Sequence, residues 1–284
     1  MYSKTIFHKI QELILELNTL SANKPLPHNP QCEKCHGSGK IKITDAEIEK
    51  RKEVFKKIGI NNTTFSGHDR CDCMNSEYEK YIQLKKDLTY FENISKEINI
   101  PEKYQNFCFD MFKLNIPPKV IELLEKGFFV EDGKKKKSFL FWGQKPGTGK
   151  TLLALSIMHS LIVDFKLKGR YENTVMLFHE LKKYFNMDRK NMFYNEIEYL
   201  DKLVRTDILF LDDIGTEKAS EWVREKFYYI QEGRNILINK INLFTSNDTP
   251  KILCQKIGDK IVSRMMEDCG VIQMEGDDWR IKKS

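Results

Sequence analysis

The sequence predicts an α/β protein: a mostly parallel sheet flanked by helices, preceded by a small cysteine-bearing helical module. Three observations predict it. A glycine-rich turn, Gly143-Gln144-Lys145-Pro146-Gly147-Thr148-Gly149-Lys150-Thr151, follows the apolar run 139–142 and precedes the apolar stretch 151–165. A second apolar run, 208–211, ends in the acid pair Asp212-Asp213. Around them strand-like runs alternate with helix-like stretches, the pattern of a parallel sheet.

The turn has the residue types that a triphosphate demands. Phosphate oxygens carry dense negative charge, and backbone N–H groups wrap them only where no side chain intrudes. Gly147 and Gly149 give that freedom. Lys150 brings a cation to the β- and γ-phosphates, and the Thr151 hydroxyl is a magnesium ligand. Pro146, Thr148 and Leu152 complete the nucleotide-binding stretch. Residues 139–142 read as a buried parallel strand. Residues 151–165 are apolar nearly all round and read as a buried helix whose N-terminus points at the phosphates. The usual spacing puts a glycine where Gln144 stands, with Gly143 one residue early. Either Gln144 replaces that glycine or the loop carries an extra residue.

Asp212 ends its strand and is expected to hold Mg²⁺, directly or through water. Asp213 follows, placed to polarise an attacking water or to serve as a loop carboxylate. Asn247 ends another predicted strand, in Thr245-Ser246-Asn247, where a polar side chain orients water near the γ-phosphate or makes a turn. Arg264 falls in a helix that Asp259 caps and Gly270 ends. It shares a face with Lys260 and Asp268, so it pairs with Asp268 or reaches a neighbouring subunit's γ-phosphate.

The remaining elements follow in order. Ile6, Ile10, Leu13, Leu17 and Leu20 make a helical stripe with Phe7 and Ile14 alongside, either packed on its own domain or offered to another protein. Residues 78–98 are charged and partly helical, a connector. Lys134 to Lys137 reads as a solvated basic turn. Thr174 to Phe178 reads as a strand, and a charged helical stretch follows to Leu203. Residues 220–238 read as a helix, 241–245 as a strand, and 271–274 as the last strand. Lys182, Lys183, Arg189 and Lys190 mix with Tyr184, Phe185 and Phe193, which suits single-stranded nucleic acid or a solvated helix with buried rings.

Composition bounds the function. The chain has 284 residues, 40% hydrophobic and 31% charged, enough for one large domain and a small one. The net charge of +6 admits nucleic acid without demanding it. No apolar run approaches the roughly 18 residues of a membrane helix. The start, Met1-Tyr2-Ser3-Lys4, leads into an amphipathic pattern rather than a signal-peptide core, so a cytoplasmic, membrane-free protein is expected. Seven cysteines then argue for metal or free thiols. Cys32 with Cys35 and Cys71 with Cys73 are two close pairs, and four thiolates so placed suit tetrahedral Zn²⁺. His36 and His68 are possible substitutes for one of them, while Cys108, Cys254 and Cys269 read as core thiols. Metal analysis of protein purified without added zinc is expected to find one Zn²⁺ per chain. A metal-free protein with an unchanged fold would overturn that expectation.

Residues 207–217, then Ser220-Glu221-Trp222-Val223-Arg224, then Thr245-Ser246-Asn247, resemble the bacterial and phage DnaC/DnaI helicase-loader family, a branch of the AAA+ ATPases with an IstB-like core. Ile261-Val262-Ser263-Arg264 and Asp277-Asp278-Trp279-Arg280 resemble its C-terminal motifs. The resemblance implies an AAA+ P-loop ATPase, dependent on Mg²⁺ and binding ATP and ADP. It also implies a replication protein that binds the hexameric replicative helicase and helps place it on single-stranded DNA. By match, Lys150 and Thr151 are Walker A, Asp212 and Asp213 Walker B, Asn247 sensor 1, Arg264 an arginine finger acting between self-associated copies, and Arg280 a sensor-2 candidate. Residues 248–284 leave no room for a full helical lid domain. The expected organisation is a helicase-binding zinc module at 1–85, a linker at 86–100 and the ATPase domain at 101–284. The competing reading is an IstB-like transposition helper ATPase, against which the cysteine module counts. A P-loop small-molecule kinase and a non-hydrolysing adaptor are further alternatives.

Overall fold

The computed structural model describes residues 5–22, 33, 40–42, 44–49, 68–70, 76–105, 116–183, 189–216, 220–237, 239–276 and 278. Cys32, Cys35, Cys71, Cys73, Cys108, His36 and Arg280 lie outside them, as do Ile238 and part of the basic–aromatic segment at 184–188. The chain divides into two compact units, Ile10–Tyr90 and the remainder, Met1–Lys9 with Phe91–Ser284.

The smaller unit holds most of α1 (Ile6–Ala22), the antiparallel pair β1 (Lys40–Lys42) and β2 (His68–Arg70), and most of α2 (Ser76–Ile98). Thr5 starts α1, its hydroxyl accepting the His8 amide at 3.1 Å, the usual service of an N-cap. The expected stripe is the inward one: Ile6, Leu13 and Leu17 are buried, while Phe7, Ile14 and Leu15 are exposed. The charged stretch read as a connector is a continuous helix up to Ile98, and Asn99 ends it in the left-handed region.

The larger unit is built on a five-stranded, wholly parallel sheet. Before it come α3 (Pro118–Lys126) and a hairpin of β3 (Phe129–Glu131) and β4 (Lys134–Lys136). The hairpin corrects the reading of the basic run as a turn. Asp132 and Gly133 both have positive φ and make the turn themselves, which frees the lysines to pair as a strand. Lys136 then bonds Glu131 at 2.9 Å and the Cys269 carbonyl at 2.9 Å.

β5 (Ser138–Trp142) leads into α4 (Lys150–Phe165). β6 (Gly169–Asn173), α5 (Thr174–Lys183), α6 (Arg189–Arg205), β7 (Ile208–Asp212), α7 (Glu221–Ile236), β8 (Ile241–Ser246), α8 (Pro250–Ile257), α9 (Asp259–Glu267) and β9 (Cys269–Gln273) follow. The strand order is β6-β7-β8-β5-β9. β7 and β8 are buried along their whole length, as sheet strands covered on both faces must be. Leu153 through Leu161 of α4 are almost wholly buried as well.

Two sequence expectations change. Residues 174–178 form the start of α5, not a strand. Leu177, Phe178 and Leu181 are buried at helical spacing while Val175 and Met176 face outward. Phe178 packs on Phe227 and Trp222 of α7, with ring centroids 4.9 and 6.1 Å away. The strand is instead the polar run just before it, β6, at the sheet edge. The helix carrying Arg264 starts after Gly258 and stops at Asp268, with Gly270 already in β9. A side chain on Gly270 would collide with the Phe129 ring at 2.7 Å, so close packing explains that glycine. Cys269 is a buried free thiol and Cys254 a half-buried one, matching the core reading.

Candidate nucleotide-binding site

The two motifs meet. Thr151, on the first turn of α4, donates its hydroxyl to Asp212 Oδ1 at 2.9 Å. The strand order explains the meeting. β8 lies between β5 and β7, so the loop after β5 and the end of β7 flank the end of β8. A cavity of about 340 Å³ opens there, lined by the loop residues Pro146 to Thr151 with Leu152, Asp212, Asp213, Asn247 and Tyr104. A larger cavity of about 780 Å³ lies near Arg170, Tyr199 and Lys202, at the other end of β6 and away from the glycine-rich loop.

The loop has the shape that its glycines permit. Gly147 and Gly149 have φ of 72° and 91°, the left-handed region that other residues enter at a cost. Gly143 has a different reason: a Cβ there would lie 2.2 Å from the Met274 carbonyl oxygen, where the chain leaves β9. Gln144 is exposed and outside the left-handed region, so its backbone does not call for glycine. Lys150 is buried and its Nζ donates to the carbonyls of Gly143 and Lys145 at 2.9 Å, and to Thr148 Oγ1 at 3.4 Å. The cation thus ties both ends of the loop together in the pocket where phosphates would lie.

The acids are held by hydroxyls. Asp212 is 3% exposed. Its Oδ1 also accepts from Thr245 at 2.5 Å, and its Oδ2 from Tyr171 at 2.9 Å. Thr245 at the same time accepts the Asp213 amide at 2.9 Å. One hydroxyl on β8 therefore orders both carboxylate residues. Asp213 has a φ of 59°, a strained conformation of the kind that concentrates at working sites. Thr174 ties the same corner by donating to the carbonyls of Asp212 and Asp213, both at 3.1 Å. Thr174, Thr245, Tyr171 and Tyr104 escaped sequence reasoning in these roles. Thr245 could have been found, because it precedes Asn247 on the strand between the motifs.

The donor set fits Mg²⁺. A carboxylate and a hydroxyl in mutual contact are the hard oxygen ligands this ion selects, beside a cradle that side chains on its glycines would strain. Asp212 and Thr151 would hold it, and the ion would neutralise charge on the phosphates. Among the described residues no group of three or more histidines, cysteines and acids is placed to hold a metal.

Arg264 is not in this cavity. It is half-exposed on α9 and pairs with Glu232 at 2.9 Å and Glu267 at 3.4 Å, not with Asp268. Asp268 instead accepts from Ser138 Oγ at 3.0 Å and the Lys137 amide at 3.3 Å.

Comparison with known proteins gives the chain a family. The sequence model of the IstB-like ATP binding protein family matches residues 63–284. This chain belongs to that family. Its family is one of ATP-binding proteins, which fits an ATPase in general terms, and its fold is a parallel sheet flanked by helices with a phosphate loop between a strand and a helix. It is 28% identical to the replicative helicase loader DnaC of Buchnera aphidicola subsp. Baizongia pistaciae over 187 residues, 65% of this chain and 73% of that one. It is 24% identical to the DnaC of Escherichia coli K12 over 57% of this chain, and spans 64% of that relative. The crystal structure of DnaI has the same fold, with a TM-score of 0.51 at 22% identity over 64% of this chain and 95% of that one. That of the DnaC helicase loader gives 0.50 at 22% identity, over 62% of this chain and the whole of the other.

Proposed function

We propose that this protein is an ATP-dependent loader of a hexameric replicative helicase. It binds the helicase and helps place it on single-stranded DNA in the cytoplasm. Mg-ATP acts as the switch and hydrolysis aids release. The observation that carries the reading is the Thr151–Asp212 contact, which joins the phosphate loop to the metal-side acid in a family member whose relatives include replicative helicase loaders. The N-terminal module, residues 1–85 with zinc on Cys32, Cys35, Cys71 and Cys73, is the part assigned to helicase binding. Exposed Phe7, Ile14 and Leu15 on α1 support that assignment, since they form an apolar stripe at helical spacing. A pull-down of the host's replicative helicase, with and without ATP, tests the reading. Helicase retained by the full chain and lost on removal of residues 1–85 supports it, and no helicase under either condition refutes it.

Self-association through the ATPase domain gives Arg264 its use. Its own cavity lies elsewhere, and its side chain is half-exposed in a frame of Glu232 and Glu267. Arg264→Ala is expected to keep ATP binding and lose about 10³-fold in turnover by assemblies, the scale of a missing arginine finger. Full turnover by verifiably monomeric wild-type protein would contradict a role in trans. Lys182 and Lys183, exposed at the end of α5, are offered as single-strand contacts.

A second reading is an IstB-like helper of transposition, which membership of the IstB-like family also admits. It predicts capture of a transposase instead of a helicase in the same pull-down.

A further inference from the structure

Asp212 carries three hydroxyl donors, and one of them comes from the strand at the edge of the sheet. Thr151 and Thr245 share Oδ1, while Tyr171 alone takes Oδ2 at 2.9 Å. Tyr171 does not line the cavity. It stands on β6, in register with Phe210 of β7, with its ring edge-on to the Phe210 ring at 5.2 Å. It is 5% exposed. A buried phenol hydroxyl with no acceptor costs stability, so its aim at the carboxylate gives a reason for tyrosine rather than phenylalanine on this strand. Burial, then the neighbouring carboxylate, push its pKa far up, and the hydroxyl stays a donor.

The strand under it is pinned from the other side. Side chains alternate along β6, and Glu172 is buried beside Arg170 at 2.6 Å. Glu172 also accepts from the Tyr199 hydroxyl at 2.8 Å and the Asn99 amide at 3.3 Å. Arg170 donates in turn to the Glu97 carbonyl at 3.1 Å. The tyrosine is therefore presented to Asp212 by a strand that its neighbours hold in place.

We propose that Tyr171 is a positioning residue for the metal-side carboxylate, fixing the rotation of Asp212 so that Oδ1 faces Thr151 and thereby setting the magnesium requirement of nucleotide binding. It acts through Asp212 and touches no phosphate. The inference rests on the nucleotide reading of the site.

The test uses the full chain, a fluorescent non-hydrolysable ATP analogue and a Mg²⁺ titration. Tyr171→Phe is expected to raise the half-saturating Mg²⁺ about tenfold or more, the scale seen when a partner of a metal ligand is removed. Analogue affinity in EDTA should be unchanged. In an Asp212→Asn background the same substitution should add nothing, which a merely structural residue would not obey. An equal Mg²⁺ requirement in Tyr171→Phe and wild type overturns the proposal. Tyr171→Met, which fills the space without a donor, is read in the same way if the phenylalanine variant does not fold. A wild-type protein that binds the analogue with no response to Mg²⁺ would remove the metal reading of the site itself, an outcome distinct from failure of Tyr171 alone.

Discussion

Lys150→Ala is expected to lower Mg-ATP affinity about 10²–10³-fold, taking as its scale the rate lost when one preorganised donor is removed from an oxyanion hole. The side chain has two tasks. On the proposed reading it brings the cation to the β- and γ-phosphates, and its Nζ bonds the carbonyls of Gly143 and Lys145 at the start of the loop. Alanine removes both, leaving those carbonyls without their donor. The fold should survive, because α4 is anchored by Leu153, Leu155, Ile157, Met158 and Leu161, all buried. Isothermal titration with Mg-ATP, alongside circular dichroism, checks the expectation. Unchanged affinity in a folded variant would remove Lys150 from the site.

The second large effect is on stability. Arg234 on α7 is 1% exposed. Its guanidinium donates to the carbonyls of Leu203, Val204, Thr206, Asp207 and Ile241, and to Asn242 Oδ1 at 2.5 Å. Burial pushes its pKa down to about 9, which leaves it charged at neutral pH. It thus joins the end of α6 to the starts of β7 and β8, where backbone carbonyls would otherwise be buried without donors. Arg234→Met keeps much of the volume and none of the donors. The expected loss is about 3–5 kcal/mol, the cost of stranding buried polar partners. A thermal scan should show Tm about 6–20 °C lower. Mg-ATP affinity measured well below that Tm should be unchanged, since Arg234 lies at the opposite ends of the strands from the loop. A Tm shift below about 2 °C would show that the carbonyls find other donors.

The phosphate loop and Asp212 were legible in the sequence because the chemistry leaves few choices of residue there. Glycine is needed for positive φ at 147 and 149, lysine for charge, and a carboxylate at a strand end for the metal. The partners of Asp212 were not legible. Thr245 and Tyr171 reach it only because β8 and β6 flank β7, an order set by crossovers and written in no local pattern. The misreading of residues 174–178 has a local cause. Five apolar or β-branched residues in a row suit a buried strand and the first turns of a helix alike, and the polar edge strand before them gave no apolar signal. Arg234 was illegible for a third reason: a buried arginine looks in sequence like any charged residue of an amphipathic helix. Gly143 and Gly270 show the same limit in small, since both answer to neighbours distant in sequence, Met274 and Phe129.

Joint binding of Mg-ATP by loop 147–151 and Asp212 is open to calorimetric titration of the 284-residue chain, run once with Mg²⁺ and once with EDTA. Saturable heat at one nucleotide per chain is expected, with markedly weaker binding in EDTA. Absence of heat and of saturation in the presence of Mg²⁺ would contradict it.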